Sequence, residues 1–306
     1  MHDTEKIGGV TLHYTFYDTL DDYNDGDEVE EFILDVLKSD KDVFEVLSGD
    51  DRWPVLYHLS PRRENIVEPM NIAKSDEVLE IGAGMGSVTA PLSRLARHVD
   101  CIELSKRRSL ANAHRNRERD NIDIFVGNFE KIRLEKQYEA VVLIGVLEYA
   151  RYYVPGDDPF RVFLRKAYDF LKPGGKIYVA IENRLGMKYF SGAPEDHLGI
   201  PYCGIEGYVR TDGKARTFSR SELDRLIADA GFVSSFFYYP FPDYKLPTII
   251  YSDAYPPLPG DVLPAGPVYD LPRLSVFKER DAMLSLFGTE EYKYFANSFL
   301  VEAVKI

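Results

Sequence analysis

The sequence predicts an α/β fold in which a mostly parallel sheet is covered by helices on both faces. Three observations support this prediction. From residue 77 onward, short apolar runs alternate with stretches of helical periodicity; the first run ends in a turn that holds three glycines; and the 306 residues suffice for one elaborated domain with insertions. Strands that alternate with helices of this size are typical of parallel sheets, because parallel neighbours need long crossover connections.

The central strands are predicted from apolar runs at residues 77–82, 98–104, 121–126, 138–145 and 175–182. Helices are predicted between most of them, at residues 87–98, 105–117 and 159–172, and the glycines of LKPGG, residues 171–175, are expected to stop the third helix. A further helix at 219–231 has Ser219 and Glu222 in the spacing of a capping box. The last strands are predicted at residues 232–240 and 295–306.

An N-terminal extension precedes the predicted core, which covers residues 56–240 and the last strand at 294–306. The extension, residues 1–55, is predicted to be acidic and helical, because residues 18–31 carry eight acids and no base. A calcium loop in this segment is excluded, since Tyr23 and Phe32 occupy two of the ligand places.

Two insertions interrupt the predicted core, at residues 183–218 and 241–293. Nine of the 18 prolines fall in residues 240–272, which predicts a stiff, extended segment that covers an edge of the sheet. Ligands of open α/β sheets bind outside the carboxyl ends of the strands, where such loops lie, so both insertions are candidates for substrate binding.

Composition excludes several classes of function. The formal net charge of −13 disfavours general nucleic-acid binding, no apolar stretch is long enough to cross a bilayer, and the N-terminus MHDTEKIGGV lacks the apolar core of a secretory signal. We therefore expect a cytoplasmic protein whose two cysteines, Cys101 and Cys203, are reduced thiols. One basic run could be a solvated surface or an RNA-binding face, formed by Lys106, Arg107, Arg108, Arg115, Arg117 and Arg119.

The glycine-rich turn in VLEIGAGMGSVTAPL, residues 78–92, indicates a ligand that approaches the backbone closely. A P-loop is excluded, because Ser87 and Val88 stand where the phosphate-binding Lys and Ser or Thr belong. The dinucleotide pattern GxGxxG is a weak alternative, because Ser87 replaces its third glycine. Acids stand two residues before the first glycine, at Glu80, and at the end of the next strand, at Glu103.

With these acids and glycines, the chain resembles the class I S-adenosylmethionine-dependent methyltransferases, whose first motif is E/DxGxGxG. The resemblance implies that Glu80, Gly82, Gly84 and Gly86 lie beneath the methionine and ribose of the cofactor, and that Glu103 holds both ribose hydroxyls. A carboxylate suits two hydroxyl donors. The resemblance also implies a Rossmann-like three-layer sandwich with a seven-stranded sheet whose last strand is antiparallel.

Other segments match the same family in order. VGNF, residues 126–129, and IGVLEYA, residues 144–150, occupy the places that follow the third strand and end the fourth, and LKPGG matches the turn before the fifth. Upstream, residues 53–65 are where the family supplies groups to the methionine end of the cofactor; Ser60 is equally consistent with a helix N-cap before Pro61. The resemblance thus implies further cofactor-binding residues: Tyr57, Ser60, Leu104, Asn128, Phe129, Gly145 and Val146.

The first insertion gathers candidates for catalysis and substrate binding. His197 is the best candidate for a general base because the ordinary imidazole pKa is near neutrality, with Asp196 or Glu195 able to orient it and Glu182 nearby in sequence. Arg184 could hold an acidic substrate or pair with Glu182. The predicted substrate-binding residues are Asn183, Arg184, Tyr202 and Tyr208.

No metal is expected, since the sequence has no compact His/Cys cluster and the fourth strand ends in Gly145 rather than an aspartate. With residues 53–65, the first insertion, YPFPDYKLPTIIYSD at residues 239–253 and FANSFLV at residues 295–301, the chain also resembles, less specifically, bacterial methyltransferases of surface-polysaccharide synthesis. This resemblance implies O-methylation of a sugar, nucleotide-sugar, glycan or related small hydroxylated metabolite. An RNA methyltransferase is the alternative: the glycine turn resembles ribosomal RNA dimethyladenosine enzymes, but the Asn/Asp-Pro-Pro-Tyr motif is missing. A cofactor-binding regulatory subunit without turnover is the third hypothesis.

Overall fold

The computed structural model describes residues 3–18, 25–39, 41–211, 214–264 and 273–306. The chain divides into two compact units. The first comprises Met1–Leu143 and Phe170–Gly175, and the second comprises Ile144–Asp169 and Lys176–Ile306. None of the helices in the described ranges is both long and apolar enough to cross a membrane.

The first unit contains the predicted parallel core. Its described strands lie in the order β1-β2-β5-β4-β3-β6, with bounds β1 Thr4–Ile7, β2 Val10–His13, β3 Glu77–Ile81, β4 His98–Glu103, β5 Ile122–Val126 and β6 Tyr138–Ile144. Strands β2, β5, β4, β3 and β6 run parallel to one another, and β1 pairs antiparallel with β2. Residues 78–81 of β3 are all buried, as expected for a strand covered on both faces.

The described helices of the first unit are α1 Asp27–Lys38, α2 Val43–Gly49, α3 Trp53–Leu59, α4 Thr89–Leu95 and α5 Lys106–Arg115, with a 3-10 helix at Pro61–Val67. Helices α4 and α5 pack on the strands, and α1 packs on α5 and α3. Helix α1 buries Ile33, Leu34 and Leu37 in one apolar cluster with Val55 of α3 and Ala111 of α5. The N-terminal extension is therefore part of the core of this unit, through its apolar stripe.

The basic run of α5 is largely occupied by acids of the extension. Arg108 is buried and forms hydrogen bonds to Glu30 at 2.6 and 2.9 Å and to Asp25 at 2.9 Å. Arg107 pairs with Asp27 at 2.9 Å, and Arg115 donates to backbone carbonyls at 2.6 and 2.8 Å. The prediction of a solvated surface or an RNA-binding face is therefore wrong for Arg108, which is buried against the acidic helix. Arg107 and Arg115 are half-buried. Residues 19–24 of the acidic segment lie outside the described part of the chain.

The second unit contains strands in the order β7-β10-β8-β9, with bounds β7 Leu171–Glu182, β8 Val233–Phe241, β9 Ile249–Ser252 and β10 Ser298–Val304. The first residues of β7, up to Gly175, belong to the first unit. Strand β10 is antiparallel to both β7 and β8, which confirms the predicted orientation of the last strand. The described helices of this unit are α6 Ala150–Tyr153, α7 Pro159–Asp169, α8 Met187–Phe190, α9 Arg220–Asp229, α10 Glu279–Ser285 and α11 Tyr292–Phe295, with a 3-10 turn at Leu147–Tyr149.

The predicted number of seven strands is wrong, because the described residues form ten. The additional strands are β1 and β2, from the extension expected to be helical, and β9, from the proline-rich insertion, which pairs with β8. Residues 171–175, expected as a turn, form the start of β7. Residues 265–272 of the proline-rich insertion lie outside the described part of the chain.

Candidate functional sites

The turn between β3 and α4, residues 82–88, is the candidate cofactor site of the first unit, and we call it the glycine turn. Gly82, Gly84 and Gly86 have φ angles of +74°, +53° and +82°, which side-chain-bearing residues rarely adopt. A Cβ built on Gly84 has no described atom within 4 Å, whereas one on Gly86 would lie 2.3 Å from Asn112 Oδ1. Gly86 thus serves packing against α5, and Gly84 leaves open space beside the turn.

Glu103, the last residue of β4, is in direct contact with the glycine turn. Its Oε2 atom accepts a hydrogen bond from the Gly84 backbone N–H at 2.7 Å, and its Oε1 atom accepts one from Ser105 N–H at 2.9 Å. The structure therefore brings together the predicted ribose ligand and the middle glycine of the motif. Open space beside a positive-φ glycine, next to a carboxylate that accepts donors, fits the ribose end of a nucleoside cofactor.

Glu80 holds the start of helix α4 against β3. Its buried carboxylate accepts a hydrogen bond from Thr89 Oγ1 at 2.5 Å, and Asn112 Nδ2 donates to the same hydroxyl at 2.9 Å. Burial raises the pKa of Glu80 to about 7. The contacts of Glu80 thus position the turn, and its predicted contact with the cofactor stays a prediction.

Three of the residues predicted to bind the cofactor, Leu104, Asn128 and Phe129, lie after β4 and β5. Asn128 Oδ1 accepts a hydrogen bond from the Glu130 backbone N–H at 2.9 Å, which closes the local turn. The buried ring of Phe129 lies 6.1 Å from the ring of Phe170, and Leu104 is half-buried beside Glu103. The amide oxygen of Asn128 therefore has a structural partner, and the roles of these three residues toward the cofactor stay predictions.

Tyr57 and Ser60 lie at the end of α3. Ser60 is the N-cap of the 3-10 helix Pro61–Val67, where its side chain accepts from Arg62 N–H at 3.3 Å, as its position before Pro61 predicted. The guanidinium of Arg63 lies 4.0 Å from the centre of the Tyr57 ring. These contacts fix both side chains within the first unit, and their contact with the cofactor stays a prediction.

The second unit contains a group of buried ionisable side chains that we call the buried charge cluster. Glu182, at the end of β7, is fully buried; its carboxylate pairs with Lys245 Nζ at 2.7 Å and with His197 Nε2 at 3.3 Å. His197 Nδ1 lies 2.9 Å from the hydroxyl of Tyr149. The members of the cluster are Glu148, Glu182, Lys188, Asp196, His197 and Lys245.

The orienting partners of His197 differ from those expected. Asp196 pairs with Lys188 at 2.7 Å and with Lys245, and Glu195 accepts from the backbone N–H groups of His197 and Leu198 at 2.8 Å each. The imidazole itself contacts Glu182 and Tyr149. Glu195 therefore shapes the loop, while the ring is oriented by residues distant in sequence.

Charges within the cluster determine which of its groups can accept a proton. Burial lowers the pKa of His197, but the charge of Glu182 and its hydrogen bond outweigh burial and raise it to about 9. Burial alone would raise the pKa of Glu182, and Lys245 and His197 hold it well below its ordinary value. At this pKa His197 is largely protonated at neutral pH, and its predicted role as general base stays a prediction.

Glu148 is the member of the cluster whose titration lies closest to neutral pH. Its side chain is 1% exposed, and its Oε2 atom has no hydrogen-bond partner among the described residues. Burial, together with the charge of Glu182, raises the pKa of Glu148 to about 8. A buried carboxyl with an unpaired oxygen is a candidate proton acceptor, and sequence analysis did not single it out.

Most predicted substrate-binding residues have structural partners. Asn183 Nδ2 donates to the carbonyls of Tyr294 and Ala296 at 2.8 Å each. Arg184 pairs with Glu222 at 2.6 Å rather than with Glu182. Tyr208 OH is buried and lies 2.7 Å from Thr217 Oγ1, whereas Tyr202 is 41% exposed. Tyr202 is therefore the most accessible residue of the predicted set.

Gly145 and Val146, predicted to contact the cofactor, lie at the start of the second unit. Gly145 has a φ of +70°, and a Cβ there would lie 2.7 Å from Tyr244 OH. Val146 immediately precedes the 3-10 turn Leu147–Tyr149. The close approach of Tyr244 thus accounts for glycine at position 145, and the contact of both residues with the cofactor stays a prediction.

Within the described ranges, two groups of imidazole and carboxylate side chains have the spacing of metal ligands, although the sequence led us to expect no metal. Their ligand atoms lie within 4.8 Å of one another in each group: one consists of His98, Asp100 and Asp123, and the other of Glu148, Glu182 and His197. Each group combines residues from segments that are far apart in sequence.

The chain is similar to known methyltransferases over a segment that includes the glycine turn. Residues 79–177 match the family described as a methyltransferase domain. The ubiquinone biosynthesis O-methyltransferase of Pelagibacter ubique is 25% identical over 150 residues, which cover 45% of this chain and 60% of that protein. The "Probable ribosomal RNA small subunit methyltransferase A" of Methanothermobacter thermautotrophicus is 32% identical over 146 residues, which cover 37% of this chain and 53% of that protein.

A solved structure shares the fold. Phosphoethanolamine N-methyltransferase 1 of Haemonchus contortus, in complex with phosphoethanolamine and S-adenosylhomocysteine, matches 91% of this chain and 48% of that one, with a TM-score of 0.50 at 14% identity. The chain spans between half and two thirds of the length of the two curated relatives described above. Over residues 79–177 the chain is similar to a methyltransferase domain.

Proposed function

We propose that this chain is an O-methyltransferase that transfers the methyl group of S-adenosylmethionine to a hydroxyl of a small metabolite. The contact between Glu103 Oε2 and the Gly84 N–H, at 2.7 Å, is the observation that carries the proposal. It places the carboxylate expected to bind the ribose beside the glycine that leaves open space at the turn. The match of residues 79–177 to a methyltransferase domain supports the same cofactor.

Bound S-adenosylmethionine supplies an electrophilic methyl group on a sulfonium. In the reaction the acceptor oxygen forms a bond to the methyl carbon, the carbon–sulfur bond breaks, and S-adenosylhomocysteine leaves as a neutral thioether. The proton of the acceptor hydroxyl has to be removed, and a positioned base contributes roughly 10²- to 10⁴-fold to such a step. The protein therefore needs a group that can take one proton near neutral pH.

We assign this role to Glu148. Its Oε2 atom has no hydrogen-bond partner among the described residues. Its pKa of about 8 lies below that of His197, so a larger fraction of Glu148 than of His197 is ionised at neutral pH and able to accept a proton. Glu182 and His197 form an ion pair next to it, with 3.3 Å between Oε2 and Nε2. In this proposal His197 and Glu182 tune the proton affinity of Glu148 rather than accept the proton themselves.

The acceptor class is proposed from resemblance and from relatives. The relative from Pelagibacter is named for O-methylation in ubiquinone biosynthesis, which supports a hydroxyl of a small molecule as the acceptor. The resemblance to methyltransferases of polysaccharide synthesis adds sugars, nucleotide-sugars and glycans as the more specific proposal. A small phenolic metabolite and a sugar would each present a hydroxyl to the same base, so one experiment can compare both acceptor types.

RNA is the second candidate acceptor, because one relative is named as a ribosomal RNA methyltransferase. The structure weakens its original basis, the basic run of α5. Arg108 is buried against Glu30 and Asp25, and Arg115 is bound to backbone carbonyls, so neither presents a free charge to a phosphate backbone. RNA is therefore included as a competing substrate.

In the test, the purified full chain is incubated with isotopically labelled S-adenosylmethionine and one acceptor class at a time: phenolic small molecules, sugars, nucleotide-sugars or RNA. Mass spectrometry then detects the labelled product. We expect label on a small-molecule hydroxyl, and a rate reduced roughly 10²-fold or more in Glu148→Gln. The exposed Glu290→Gln serves as the control and should keep full activity. Label on RNA would overturn the acceptor, and cofactor binding without any turnover would favour the regulatory subunit.

A further inference from the structure

Three neighbouring strands of the first unit place two imidazoles and two carboxylates on one face of the sheet. Asp100 of β4 and Asp123 of β5 are paired in register, and so are Asp123 and Thr11 of β2. His98 and His13 lie two residues from Asp100 and Thr11, respectively, and side chains two apart on a strand share a face. We call His13, His98, Asp100 and Asp123 the strand cluster. It is distinct from the glycine turn and from the buried charge cluster.

Two carboxylate oxygens converge on one nitrogen of His98. The Nε2 atom lies 3.1 Å from Asp100 Oδ1 and 3.0 Å from Asp123 Oδ2. A single N–H cannot point linearly at both oxygens, so at least one of them is poorly satisfied by the imidazole alone. A cation between the three atoms would satisfy the nitrogen lone pair and both oxygens at once.

The outer oxygens of both carboxylates are held by other side chains. Asp100 Oδ2 accepts hydrogen bonds from Lys136 Nζ and Tyr138 OH, each at 2.7 Å. Asp123 Oδ1 lies 2.9 Å from His13 Nε2. Each aspartate thus directs one oxygen to an outer partner and the other to His98. Outer partners of this kind orient the carboxylates that ligate metals in proteins.

We propose that His98 Nε2, Asp100 Oδ1 and Asp123 Oδ2 bind a divalent transition-metal ion of the Zn²⁺ or Mn²⁺ class. One imidazole nitrogen with two carboxylate oxygens is a donor set that these ions accept. The three ligand atoms lie within 4.8 Å of one another. The ion would cross-link β4 and β5, and His13 would couple the N-terminal hairpin to it through Asp123.

Charge and access favour an ion at this place. The ammonium of Lys136 contacts both Asp100 and Glu77, and the guanidinium of Arg97 pairs with Glu77. The three carboxylates of Asp100, Asp123 and Glu77 therefore exceed these two cations by one. The side chains of His98 and Asp123 are 25% and 29% exposed, which leaves a path from solvent and room for water ligands. Asp100 is 6% exposed, so it anchors the inner side of the site.

The test titrates the chelator-treated full chain with Zn²⁺ by calorimetry and with Mn²⁺ by electron paramagnetic resonance. We expect about one ion per chain at the strand cluster, with affinity lowered roughly 100-fold or more in His98→Asn and about 10- to 100-fold in Tyr138→Phe, which removes only an outer partner. Glu148→Gln is the matched control, because Glu148 belongs to the second group with metal-ligand spacing, in the buried charge cluster. The metal affinity of this variant should equal that of the unsubstituted chain.

Folding is monitored by circular dichroism. Asp123→Asn provides an independent ligand variant if His98→Asn unfolds, and Zn²⁺ should raise the melting temperature of the original chain but not that of either ligand variant. The proposal is overturned if the original chain binds neither ion, or if binding survives His98→Asn and Asp123→Asn. Binding that is lost in Glu148→Gln instead would assign the ion to the buried charge cluster.

Discussion

Gly84 and Glu103 are joined by a hydrogen bond of 2.7 Å from the backbone N–H of Gly84 to the Oε2 atom of Glu103. This bond ties the turn after β3 to the end of the neighbouring strand β4. The carboxylate is thereby fixed beside a glycine whose missing side chain leaves open space. A change in either residue should therefore affect cofactor binding more than folding.

Alanine substitutions at two glycines of the turn should affect different properties: Gly84→Ala mainly cofactor binding, and Gly86→Ala mainly stability. Gly84→Ala places a methyl group in the open space, so we expect weaker binding of S-adenosylmethionine and a stability loss of only about 1 kcal/mol from the positive φ. Gly86→Ala would bring its Cβ to 2.3 Å from Asn112 Oδ1, so we expect it to lower the free energy of unfolding by about 3 kcal/mol. Calorimetry and urea denaturation measure the two effects.

Gly174→Ala is the control for backbone strain. Gly174 also has a positive φ, +78°, and no described atom lies within 4 Å of its Cβ position. It should lose a similar amount of stability and keep the cofactor affinity of the original chain. Unchanged affinity in Gly84→Ala would contradict the assignment of the open space to the cofactor.

Arg108 should be a determinant of stability rather than of RNA binding. Arg108→Ala leaves Glu30, which is 1% exposed, as a buried carboxylate without its partner, and such losses cost about 3–5 kcal/mol. Arg107→Ala removes a half-exposed pair with Asp27 at 2.9 Å and a longer pair with Glu30 at 3.8 Å, and should cost only about 1 kcal/mol. Urea denaturation measures both, and equal effects of the two substitutions would refute the buried pairing.

Glu80 should make stability depend on pH. Burial raises its pKa from an ordinary value of 4.5 to about 7 in the folded chain, so the unfolded chain ionises first as the pH rises. This group therefore destabilises the fold progressively between those values, by about 2 kcal/mol from pH 5 to pH 8. The free energy of unfolding should therefore fall between pH 5 and pH 8 by about 2 kcal/mol more in the unsubstituted chain than in Glu80→Gln. Equal changes in the two proteins would rule the effect out.

Glu148 should determine the pH dependence of turnover. If its carboxylate accepts the proton of the acceptor, kcat/KM should rise with pH through a pKa near 8, the value to which burial and Glu182 raise this group. Glu148→Gln should remove the rise and lower the rate roughly 10²-fold or more. A rate that is independent of pH between 6 and 9, or an active Glu148→Gln enzyme, would assign the proton to another group.

The parallel core could be predicted from sequence because its strands are buried on both faces and read as apolar runs. Strands β3 to β6 lie close to the predicted runs, and Glu103 ends β4 as expected. Strands β1 and β2 were missed, because TEKI and VTLH are short and partly polar. Their place in the sheet depends on pairing of β2 with β5, more than a hundred residues away.

The partners of charged side chains were predicted less well, because sequence neighbours are not necessarily spatial neighbours. Asp196 adjoins His197 in sequence, but Glu182 and Tyr149 contact its ring. The basic run of α5 looked like a surface because its acidic partners lie some eighty residues earlier. The strand cluster was missed for the same reason, since strand register and not sequence spacing brings His98 and Asp123 together.

The measurement that tests the account most directly is a calorimetric titration of the full chain and of Glu103→Gln with S-adenosylmethionine. Glu135→Gln, at an exposed site, is the matched control. We predict one binding site per chain, with an affinity at least about tenfold lower in Glu103→Gln and unchanged in the control, because hydrogen bonds to a charged group contribute about 1.5–3 kcal/mol. Failure of the original chain to bind the cofactor, or equal affinity in Glu103→Gln, would contradict the central claim.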